Sequence, residues 1–69
     1  MDLTAKQRDV RDIARRTILD MHRAGEPLDA DEIHAAMLRT FQHYHLDEDT
    51  LRRLRVYIER TISRLRAQP

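Results

Sequence analysis

From Val10 onward, apolar and small residues recur at Val10, Ile13, Ala14, Thr17, Ile18, Met21 and Ala24. This i, i+3, i+4, i+7 spacing keeps them on one face of a helix. Leu3 extends the stripe backwards, and Thr4 is placed to cap its start. Gly25 tolerates the left-handed conformation that follows many helices, and Pro27 disfavours helix in the residue before it, so the first helix is predicted over about residues 5–24. Asp29 then opens a second segment with Glu32 three residues on, the pattern of a reciprocal capping box, while Leu28 and Ile33 occupy the staple positions around it. Ile33, Ala36, Met37, Thr40 and Phe41 form its stripe, which predicts a helix over about 30–42. After the short link His43-Tyr44-His45-Leu46, Asp47 is the next cap, Leu46 and Leu51 form a second staple, and Glu48 and Asp49 suit the positive helix end. Leu51, Leu54, Ile58, Ile62 and Leu65 carry a third helix, predicted over about 48–66. The pairs Glu48 to Arg52, Asp49 to Arg53 and Asp12 to Arg16 have the favourable acid-before-base order at i,i+4. The fold class expected is all-α: one three-helix domain, residues 1–69, with no strand pattern, repeat or linker.

Composition sharpens this picture by exclusion. With 69 residues and 8.3 kDa the chain is near the lower limit of independent folding, and any further burial, such as a dimer interface, would matter to it. It has no Cys, so neither disulfides nor thiolate zinc can staple it. Thirteen Lys and Arg balance twelve Asp and Glu, for a formal charge of +1, which leaves no large one-signed field to steer a polyanion. No apolar run approaches a membrane span and the N-terminus lacks a signal-peptide core, so the chain reads as soluble and cytoplasmic, with no membrane partner.

What lies off the core stripes bears on function. At 100° per residue Leu19 projects about 180° from Val10, Leu38 about 140° from Ile33, and Val56 about 140° from Leu51. Isolated surface apolar residues are common, but one on each helix of a chain this small fits a self-association or partner surface. On the third helix Arg53, Arg60 and Arg64 project about 200°, 180° and 220° from Leu51, with Tyr57 beside them at about 240°. Arg52, Arg55 and Arg66 flank the other edge of the stripe. The first helix carries a comparable band, Arg8, Arg11, Arg15 and His22. Basic bands of this kind contact phosphates or the carboxylates of a protein partner, and otherwise form a solvated face.

Leu3-Thr4, Gln7-Arg8 and then Pro27-Leu28-Asp29-Ala30-Asp31-Glu32-Ile33-His34, with Met37 and Arg39, resemble the opening of the winged-helix DNA-binding domain of ferric uptake regulators. In that family the following helix reads DNA, and a β-hairpin wing and a metal-binding dimerisation domain come after it. The match covers about the first 40 residues and lapses after Arg39. It therefore implies a helix-turn-helix-like arrangement of the helices and nothing more. A reader of that type presents the start of its second helix to base edges. Here that position holds Asp47-Glu48-Asp49, which phosphates would repel, so DNA ranks second to protein as a partner.

Enzyme chemistry finds little support, because three short helices without a Gly-rich loop or Cys nucleophile offer few convergent groups. The acids at the helix starts are accounted for by capping. His34, His43 and His45 match no compact ligand spacing, so no metal and no cofactor is expected. The leading expectation is a small non-enzymatic regulatory or inhibitory protein, of the kind carried as accessory functions by bacteria and phages. It would act by protein–protein binding as a homodimer through Leu19, Leu38, Val56 and Tyr57, with Arg8, Arg15, Arg52, Arg53, Arg60 and Arg64 as its basic stripe. The alternative is a helix-turn-helix transcriptional regulator.

Overall fold

A computed structural model describes residues 3–67, with side chains from Arg8 onward. The described chain is all-helical: α1 spans Leu3–Arg23, α2 Ala30–Thr40 and α3 Glu48–Ala67. The helix starting at Leu3 begins about two residues earlier than the pattern predicts. Its backbone is already helical at Thr4, and the side chain read there as a cap lies outside the described residues.

Each turn between helices has a local cause. Gly25 sits at φ +74°, its N–H bonds the carbonyl of His22 at 3.1 Å, and the Glu26 N–H bonds that of Met21 at 3.0 Å. These two bonds are the 5→2 and 6→1 pair that closes a helix through a left-handed residue. Asp29 caps α2, its Oδ1 accepting from the N–H groups of Asp31 at 2.9 Å and Glu32 at 3.5 Å. The box is one-sided, because among the described residues Glu32 returns no bond to Asp29. α2 stops at Thr40, short of the predicted end. Thr40 turns outward and its hydroxyl donates back to the carbonyl of Ala36 at 3.0 Å, while Phe41 becomes the C-cap residue and is buried. The chain then reverses through His45, held at φ 51°, and Asp47 caps α3 by accepting from the Thr50 N–H at 2.8 Å. Hydrogen bonds from the side chain and backbone of Thr50 hold the Asp47 carboxyl below its ordinary value of 3.8.

The core is built from three rows of the same spacing. Val10, Ala14 and Ile18 of α1, Ile33 and Met37 of α2 with Phe41 beyond it, and Leu54, Ile58 and Ile62 of α3 are all buried and form one cluster. Successive members are four residues apart, so each helix offers an i±4 ridge to its neighbours. α3 is central, since α1 and α2 each pack chiefly against it. The Arg55 guanidinium donates to Asp31 at the start of α2 at 2.6 Å, and Arg66 Nη2 donates to the Leu28 carbonyl at 2.7 Å. These contacts set α2 antiparallel to α3. α1 runs in the same sense as α3: Arg11 lies over the ring of Tyr57, and the segment leaving α1 reaches the end of α3 at Arg66. The molecule is elongated, 40 × 19 × 17 Å.

Of the three ion pairs read from the spacing, Asp49 to Arg53 forms at 3.2 Å. Asp12 instead meets Arg15 at 3.8 Å, one residue nearer than expected, and among the described residues Glu48 and Arg52 make no pair. Arg55 also bonds Glu59 at 2.8 Å, and these two carboxylates hold its guanidinium above the ordinary arginine range. Arg55 and Arg66 thus serve the fold and do not belong to a free basic face.

Candidate functional site

Placing α1 alongside α3 in the same sense opens a groove of about 450 Å³ between their first halves. Five guanidiniums line it: Arg8 and Arg11 from α1, Arg52, Arg53 and Arg60 from α3. The floor and one wall are apolar, formed by Val10, Leu54, Val56 and the ring of Tyr57. The construction follows from helix periodicity. Val10 and Leu54 belong to the buried rows, and residues one or two positions from a row member on each helix rise from the seam as its rims. Arg11 reaches across, its guanidinium carbon 5.9 Å from the centroid of the Tyr57 ring, a distance at which a cation is attracted to the ring face.

The groove holds five of the chain's thirteen cationic side chains and none of its twelve carboxylates among the lining residues. Arg53 has Asp49 at 3.2 Å on the exposed side. Among the described residues the other four guanidiniums have no ion-pair partner. Such a concave array of one sign attracts anions locally even though the whole chain is near neutral. Val56 is 41% exposed on the rim. The combination offers charge-assisted hydrogen bonds to an oxyanion and an apolar contact between them.

The candidate residues do not all gather there. Arg8, Arg52, Arg53, Val56, Tyr57 and Arg60 do. Arg15 shares the α1 face of Arg8 and Arg11 but stands a turn further along, beside Asp12 and outside the groove, and Arg64 is exposed outside the groove. Leu38 is 39% exposed on α2. Leu19 is only half-buried and sits in a shallow depression of α1 between Asp12, Arg15, Arg16, Asp20 and Arg23, so it is less outward-facing than its projection suggests. Arg11 supplies a rim of the groove although periodicity marks it only as one member of a band.

The histidines do not converge. Among the described residues no three His, Cys, Asp or Glu side chains come together as a metal site. His34 is half-buried, with Nε2 enclosed and lacking a hydrogen-bond partner among the described residues, whereas His43 and His45 are exposed in the link before α3. No helix of the described chain is long and apolar enough to cross a membrane. Comparison with family models, curated proteins and solved structures finds no match, so the likeness of residues 3–39 to ferric uptake regulators rests on those residues alone.

Proposed function

We propose that the protein is a small non-enzymatic regulator or inhibitor that acts by binding another protein, and that it does so as a homodimer. The observation that carries this reading is the α1/α3 groove, where Tyr57 and five arginines surround exposed apolar surface. Tyr and Arg are the residues that most often anchor protein interfaces, because each combines a large contact area with directional hydrogen bonding. The exposed Leu38 on α2 gives a second apolar point, available to a second copy of the chain. Affinity purification from the native host, with protein and nucleic acid both analysed in the eluate, tests the reading. A specific protein partner and no enriched nucleic acid is the expected result, and an eluate with nucleic acid alone overturns it.

The second reading, a helix-turn-helix regulator that binds DNA, draws on Arg52 and Arg53 standing in the first turns of α3 near Arg8 and Arg11. Against it stand Asp47, Glu48 and Asp49 at the helix start, where a reader would meet base edges. It requires steep salt dependence and loss of affinity in Arg52→Ala and Arg53→Ala. An anisotropy titration at about 0.1 M salt that shows no duplex binding at micromolar protein eliminates it.

A further inference from the structure

We infer that the α1/α3 groove is the receptor for an acidic amphipathic segment of a partner protein, one that places carboxylates on either side of a single apolar side chain. This deepens the protein-binding reading and rests on it. The charge of the lining selects the occupant, because among the described residues four of its five guanidiniums have no ion-pair partner and the fifth, Arg53, has only Asp49 from outside the lining. The spacing selects it further. Arg53 and Arg60 are separated by two helical turns, about 10 Å along α3, and Val56 and Tyr57 lie between them. A ligand that satisfies both arginines at once must therefore carry its two anionic groups roughly that far apart, with something apolar to cover Val56.

The apolar floor also separates an acidic peptide from a nucleic acid. A sugar-phosphate backbone offers little apolar surface to set against the exposed Val56, and its continuous charge would run onto Glu48 and Asp49 at the adjoining start of α3. Separate carboxylates on a peptide avoid the first penalty and meet the second at one point only, Arg53, where Asp49 already pairs at 3.2 Å. Arg8 and Arg11 on the facing wall give the same segment a second row of donors, and Arg11 is already steadied by the Tyr57 ring.

The test is a fluorescence anisotropy titration of the full chain at about 0.1 M salt. The probe is a capped, labelled peptide with Glu at i and i+7 around a Leu. Its Gln-for-Glu analogue, a duplex DNA and inorganic phosphate serve as separate arms. The acidic peptide should bind saturably and the Gln analogue at least about tenfold more weakly. Arg60→Glu and Val56→Asp, both at exposed positions, should each weaken the peptide by about tenfold or more, while Arg39→Glu on α2 leaves it unchanged. Circular dichroism confirms that the variants retain their helices. No saturable peptide binding, equal binding of the Gln analogue, or tighter binding of the duplex overturns the inference. If Arg60→Glu and Val56→Asp still recover the protein partner captured by the wild-type chain, the groove assignment fails while the protein-binding reading stands. If the wild-type chain captures no protein, that reading fails first.

Discussion

Ile58 is fully enclosed at the middle of the α3 row, touched from both sides because α3 packs against both other helices. Truncation there removes buried surface and leaves a cavity that flanking helices cannot easily close, so Ile58→Ala should cost about 2–5 kcal/mol. That is on the order of all the stability a core this size supplies, roughly 3–5 kcal/mol. Ile58→Val should cost only about 1 kcal/mol, and urea denaturation of the pair separates a packing effect from general intolerance. Gly25 is a different case. A Cβ there meets nothing within 4 Å, yet φ is +74°, so Gly25→Ala should destabilise by about 1–2 kcal/mol through backbone strain alone. This residue was legible in the chain because Gly before Pro two positions on is a helix stop. His45 at φ 51° was not, since histidine enters the left-handed region more readily than most residues but too seldom to mark a turn by itself.

At the level of helices, sequence reading succeeded where the cause is local and failed where it is not. Asp29 and Asp47 both cap, as short polar side chains before an apolar periodic run should. Asp29→Ala should therefore cost about 1 kcal/mol, seen as a lower denaturation midpoint with unchanged slope. Asp47 adds a pH dependence. Its folded pKa lies below the ordinary value, so its contribution to stability is fully present above about pH 4 and is lost as pH falls through the folded value. In Asp47→Asn, which keeps a capping oxygen but does not titrate, thermal melts should show a shallower loss of stability on acidification below pH 4. The end of α2 and the Asp12 to Arg15 pair escaped prediction because rotamers and tertiary packing choose among partners that spacing alone leaves equivalent.

For the molecule as a whole, the core rows could be read from the chain, but the groove could not. Periodicity ranks residues around one helix, whereas the groove exists only because α1 and α3 run in the same sense and set Arg8 and Arg11 opposite Arg53 and Arg60. Leu38, on α2 and away from that seam, bears on self-association separately. Leu38→Asp should shift the sedimenting species towards the monomer while leaving helicity intact, and an unchanged oligomer would remove Leu38 from the interface. The central position of α3 has a dynamic corollary. α2 is tied to it by Arg55 and Arg66 as well as by apolar packing, and α1 has fewer such tethers among the described residues. In amide hydrogen exchange α1 should therefore peel away as the first cooperative unit, with α2 and α3 opening later. A guest lodged in the seam would act as a latch across that opening, and slowed deuterium uptake along α1 would report its arrival even where its own contacts are invisible.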